Sequence, residues 1–179
     1  LNGAFSASVE RIRTSFEGLL PQNNILVWHA VPAMAYSDPQ SNWRRQSGEL
    51  VREAFIDSLN PDFVVISSLF EGLGDDAVTS LKRFSCQHLT AVIRYDLIPF
   101  IHRKPYLENP VVEKKKKKKI EHSRHADLWL GISESSCREG VEYLNLPSER
   151  CINISTDADE QFKVIDVTTE AKRSLQDKY

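Results

Sequence analysis

Cysteine is scarce and scattered. Cys86, Cys137 and Cys151 are an odd number with no CxxC spacing. That excludes a disulfide framework and a common zinc site, and it fits a reducing cytoplasm. No apolar run approaches the roughly 20 residues that a spanning helix needs. The opening "LNGAFSASVERIR" has neither the basic head nor the apolar stretch of a signal peptide. There is no excess of positive charge either: 23 Lys and Arg stand against 25 Asp and Glu, for a net charge of -2. A nucleic-acid-binding domain normally shows such an excess, so no nucleic-acid partner is expected. Phosphate loops of the GxGxxG and GxxxxGK[ST] types are absent, as are a GxSxG nucleophile and an internal repeat.

What the chain does contain is an alternation of short apolar runs and longer amphipathic segments. With 179 residues, 41% of them hydrophobic, it suits one domain with a sizeable core. The apolar runs at 24–30, 62–68, 89–96, 127–133 and 150–155 read as strands. The spacing predicts helices over 8–20, 42–60, 75–84, 109–126 and 133–144, and a last one from Thr168 or Thr169. In the helix over 42–60, the inward residues are expected to be Leu50, Ala54, Ile56 and Leu59. Strands that are apolar throughout, alternating with helices, predict a Rossmann-like α/β fold: a parallel sheet with helices on both faces.

Ligands of such sheets bind beyond the carboxyl ends of the strands. Four loops therefore matter. In "SSLFEGLGDD", Ser67, Ser68 and Glu71 are polar groups at a strand tip, and Gly72 and Gly74 let the backbone bend. They read either as a sugar-contacting loop or as a turn whose serines cap a helix. In "RYDLIPF", Tyr95 and Asp96 end a strand; the carboxylate can take a ligand hydroxyl or cap local amides. In "ISESSCREG", Ser133, Glu134 and Ser135 open a helix whose free amides attract anions, and "SCRE" also fits a capping box. In "NISTDADEQF", Asp157, Asp159 and Glu160 cluster without the spacing of an EF-hand, so no metal is assigned.

The run Lys114 to Lys119 is the most conspicuous feature. On a helix over 109–126, Lys116 falls in one stripe with Val112 and Ile120, so its stem is expected to lie along the protein with the ammonium turned outward. The run reads as a solvated helix face or as a contact with anionic lipid.

The segments "PDFVVISSLFEGLGDDAV", "AVIRYDLIPF", "ADLWLGISESSCREGVEYLNLPSERCINISTDADEQF" and "EAKRSLQDKY" occur in that order. Together they resemble the amino-terminal half of a GT-B glycosyltransferase of family 4, in the bacterial mannosyltransferase-like group that builds surface polysaccharides. The resemblance spans roughly residues 55–179. It implies the acceptor-side, Rossmann-like half of a retaining, metal-independent enzyme that needs no cofactor, the nucleotide sugar being its substrate. The partners implied are a nucleotide sugar, a glycan or lipid-linked acceptor and a second, donor-gripping domain beyond Tyr179. Residues 1–179 would thus be one domain of a longer protein, inactive alone, cytoplasmic and peripheral to the inner membrane face if the lysines meet lipid. Asp96 and Glu71 are the candidate catalytic residues. Ser67, Ser68, Gly72, Tyr95, Ser133, Glu134, Ser135 and Asp159 are the candidate substrate contacts. Many relatives carry histidine where Tyr95 stands, so a histidine contact does not transfer. The competing reading is a non-catalytic Rossmann-like binding or regulatory domain.

Overall fold

The computed structural model describes residues 1–85, 87–157, 162 and 168–178. Its centre is a parallel sheet of β1 (Phe63–Ile66), β2 (Leu89–Arg94), β3 (Leu128–Gly131) and β4 (Cys151–Asn153), in the order β1-β2-β3-β4. Around it, in chain order, lie α1 (Ser6–Ser15), α2 (Asn42–Ser58), the short α3 (Ile98–Ile101) and α4 (Arg103–Tyr106), α5 (Pro110–Ser123), α6 (Glu134–Leu144) and α7 (Thr169–Gln176). This is the expected Rossmann-like α/β fold.

Register explains where the core sits. Ile66 pairs with Val92, and Val92 with Trp129, so alternation places all three on one face. There they pack with Leu81, Leu97, Ile120 and Leu144 in the main core. The opposite face carries Phe63, Val65, Leu89 and Ile152, which are exposed. Trp129 also donates its indole N–H to the Ser123 carbonyl at 2.9 Å, fixing the end of α5 against β3.

Local chemistry sets the helix ends. Asn109 caps α5 by accepting from Val111 N (2.9 Å), with Pro110 in the first turn. Ser133 caps α6 by accepting from Ser136 N (3.1 Å), and Asn145 closes it in the left-handed region at φ 52°. The expected capping box at "SCRE" does not form. Glu139 instead accepts from Leu97 N at 2.8 Å and holds the loop after β2.

Three other expectations fail for identifiable reasons. The segment 24–30 is not a sheet strand: Gln22–Asn24 is a 3-10 turn, and Trp28 makes one isolated parallel bridge with Asn2. Segment 75–84 is not a helix, because side chains take its backbone groups. Asp75 accepts from Ala77 N (2.9 Å), and Arg52 donates to Ser80 O (2.8 Å). Helix α2 turns inward not Leu50, Ala54 and Leu59, which are exposed, but Gly48, Glu49 and Glu53. Ile56 is half-buried. The inward stripe is polar because it covers the loop after Ser80. The Glu53 carboxylate accepts from Arg83 N (3.1 Å), Phe84 N (2.7 Å) and Ser85 N (3.1 Å), while Glu49 pairs with Arg83.

Glu53 is 3% exposed and Leu50 49%, which reverses the ranking a helical wheel suggests. Glu53→Ala is expected to cost about 2–3 kcal/mol, since it strands three partly buried amides at once. Leu50→Ala is expected to cost less than about 0.5 kcal/mol. Urea unfolding of the two variants checks the order, and a larger loss for Leu50→Ala would refute this placement of α2.

Candidate functional site

The carboxyl ends of β1 and β2 open into a pocket of about 200 Å³. Ser67, Ser68, Tyr95 and Asp96 line it, as the strand-tip rule anticipates, together with Phe70, Phe100, Arg94 and Lys116. One Asp96 oxygen accepts from Ile98 N at 2.9 Å, which orients the carboxylate and leaves the other oxygen available to a ligand. Tyr95 is exposed, and its carbonyl accepts from the Ser136 hydroxyl. That bond ties the start of α6 to the tip of β2.

Glu71 stands beside this pocket and is coupled to it. It accepts a 2.6 Å hydrogen bond from the Ser68 hydroxyl. Its own surroundings belong to the adjoining cavities along Ala77 to Thr79. Gly72 is a structural necessity. Its φ is +83°, and a Cβ there would sit 2.0 Å from the Ala77 carbonyl oxygen. Ser133 reaches the site indirectly, through Ser136 and Tyr95. Glu134 and Ser135 are exposed in the first turn of α6 and line none of the pockets described. Asp159 lies outside the described residues. Among the described residues, no group of three or more His, Cys, Asp or Glu side chains could hold a metal.

Two residues were missed as site residues. In the sequence Arg94 falls within an apolar strand, and Lys116 within a stripe that asks only for its stem. The signal for Arg94 was present: a cation interrupts "AVIRYD" at a core-facing register position, level with Gly131. Arg94 is 6% exposed, with its guanidinium 4.5 Å from the Phe70 ring centre. Burial lowers its pKa to about 10, and the charges of Asp96 and Glu139 oppose the shift.

The lysine run divides by helix periodicity. Lys115 and Lys119 point inward and are 4% and 7% exposed, whereas Lys116 is half-buried. Ile120 of the expected stripe is buried, but the lysines beside it that turn inward are Lys115 and Lys119, not Lys116. Lys115 donates to the Phe70 carbonyl at 2.8 Å. Lys119 donates to the Thr79 carbonyl and, at 2.7 Å, to the Thr79 hydroxyl. Both acceptors belong to the loop that carries Glu71 and Gly72. Of the rest, Lys114 and Lys117 are exposed, and Lys117 pairs with Glu113 at 2.8 Å.

With this geometry established, the comparisons with known proteins bear on function. No family model and no solved structure matches the chain. Three curated Escherichia coli proteins, each named serotype-specific mannosyltransferase WbdA, are similar to it over 180 residues and the whole chain. The identities are 31% for one and 29% for the other two. The chain spans only 22%, 22% and 21% of their lengths. No helix among the described residues is long and apolar enough to cross a membrane.

The inward lysines make stability depend on pH in a definite direction. Burial, reinforced by the charges of Lys115, Arg52, Lys118 and Arg45, lowers Lys119 to about 7. Burial likewise lowers Lys115 to about 8, against the pull of Asp75 and Glu71. Between these values and the ordinary 10.5, the unfolded chain holds more protons than the folded one. Stability from this pair therefore rises with pH across that window and is lowest below about 7. Urea unfolding at stepped pH is expected to show the rise in the parent and a flatter profile in Lys119→Met. An identical slope in both would show that Lys119 is not titrating as described.

Proposed function

We propose that the chain is the acceptor-side domain of a retaining GT-B glycosyltransferase of family 4. The whole protein transfers a mannose-like sugar from a nucleotide sugar to a glycan or lipid-linked acceptor in surface polysaccharide synthesis. The observation that carries this reading is the convergence of Ser67, Ser68, Tyr95 and Asp96 on one strand-tip pocket, in a chain similar along its whole length to proteins named mannosyltransferases.

In this reading the domain works by positioning. Asp96 accepts a hydroxyl of the bound sugar through the oxygen that Ile98 N does not use. Glu71, held by Ser68, orients a second hydroxyl from the neighbouring loop. Fixing the acceptor against a sugar held by a second domain lowers the entropic part of the barrier. The departing diphosphate is stabilised from the second domain, beyond this chain. Lipid contact through the lysine run rests on the exposed Lys114 and Lys117, since Lys115 and Lys119 are spent on the loop after β1. The two inward lysines count against a broad basic patch.

The test uses the full-length protein with a panel of nucleotide sugars and an oligomannoside acceptor. Transfer from at least one donor is expected. Asp96→Asn should lower kcat/KM for the acceptor by about 100-fold, in the range for loss of a positioned carboxylate. The donor KM should stay nearly unchanged. No turnover with any donor would remove the enzymatic reading and favour a non-catalytic binding domain. A change confined to the donor KM would move Asp96 to the wrong side of the cleft.

A further inference from the structure

The strand-tip pocket contains a charge imbalance that the binding of neutral hydroxyls does not use. Arg94 is more than nine-tenths buried, and its Nε has no hydrogen-bond partner. No carboxylate stands within ion-pair distance of its guanidinium among the described residues. Its neighbours are aromatic faces, Phe70 at 4.5 Å and Trp129 at 5.9 Å. A buried cation whose nearest partners are ring faces, with Asp96 and Glu139 acting only from beyond ion-pair distance, is costly, and such groups are ordinarily paired. Lys116 reaches the same pocket from α5. Asp96 is the carboxylate lining the pocket, and one of its oxygens is already engaged by Ile98 N. Glu139 acts on Arg94 from a distance, with one oxygen engaged by Leu97 N.

We propose that Arg94 and Lys116 form an oxyanion subsite in this pocket, which takes the phosphate or carboxylate of an acidic sugar. This deepens the acceptor-side reading by naming a charged acceptor class. The planar guanidinium fork suits both anions, because either offers two coplanar oxygens. Phe70 and Phe100 leave an apolar wall for the sugar ring. Asp96 then keeps its free oxygen for a hydroxyl on the same sugar. A volume of about 200 Å³ admits one such residue. The subsite also gives the lysine run a role in the site, through a single member.

Calorimetric titration of the full-length protein tests the subsite, with a saturating nucleoside diphosphate present to occupy any donor phosphate site. The probes are glucose 6-phosphate, glucuronate and neutral glucose. Binding is expected for one or both acids and not for glucose; which acid binds identifies the anion. Lys116→Gln should weaken that binding about tenfold, as should Arg94→Lys, which keeps the charge but loses the fork. Lys114→Gln, on the exposed side of α5, should leave it unchanged. Equal binding of glucose and its acidic analogues, no binding by any probe, or a Lys116→Gln variant equal to the parent would each overturn the proposal. If Arg94→Lys fails to fold, the Lys116→Gln result decides. Acid binding in a protein that turns over no nucleotide sugar would sink the transferase reading alone. Turnover without acid binding would sink only the subsite.

Discussion

The anchoring of the loop after β1 by two buried lysines is the constraint on which the rest of the site depends. Residues 67–80 contain no helix or strand of their own, so their backbone groups must find partners elsewhere. Lys115 and Lys119, one turn apart on α5, supply donors to the Phe70 and Thr79 carbonyls. Arg52 does the same for Ser80 from α2. Thr79 closes the loop internally by donating to the Leu69 carbonyl at 2.6 Å. The loop is thereby held from both sides, with Ser68, Phe70 and Glu71 placed at the mouth of the pocket. The cost is two ammoniums taken out of water close together, which is why both lose much of their basicity.

The second strand-tip loop is held in another way. Glu139 reaches from α6 to Leu97 N, and Ser136 from the same helix to the Tyr95 carbonyl. Asp96 turns the backbone into α3 through Ile98 N. One loop thus depends on cations of α2 and α5, and the other on the Glu139 carboxylate and the Ser136 hydroxyl of α6. Between them stands Arg94, which neither arrangement satisfies.

Much of the scaffold was legible in the sequence because it follows from periodicity. The runs around Val65, Val92 and Trp129 are predominantly apolar, as strands of a parallel sheet tend to be, although Phe63, Val65 and Leu89 face outward and Arg94 ends β2. Asn109-Pro110 and Ser133 mark helix starts by side-chain chemistry. The failures share a cause. In α2, Leu50 and Leu59 promised an apolar stripe, yet the layer beneath is irregular backbone, which needs acceptors rather than methyl groups. Glu53 therefore faces in. In α5, lysine turns in for the complementary reason, to meet carbonyls. A hydrophobic wheel registers neither demand, because it assumes that the neighbour is apolar. Of the site, the polar residues at the ends of β1 and β2 were visible from strand topology. Glu134 and Ser135 stand in the first turn of α6 and line none of the pockets described.

The inward lysines also have a consequence for reactivity. An amine whose pKa has fallen to about 7 is about half uncharged in neutral solution. Lys119 escapes acylation only because the loop lies over it. Whenever residues 70–79 lift, Lys119 meets water and regains the basicity that burial had removed. Its labelling rate, set against that of Lys114, then records how often the loop opens, with no engineered reporter. A run of six chemically identical side chains thus contains its own internal clock for motion at the mouth of the pocket.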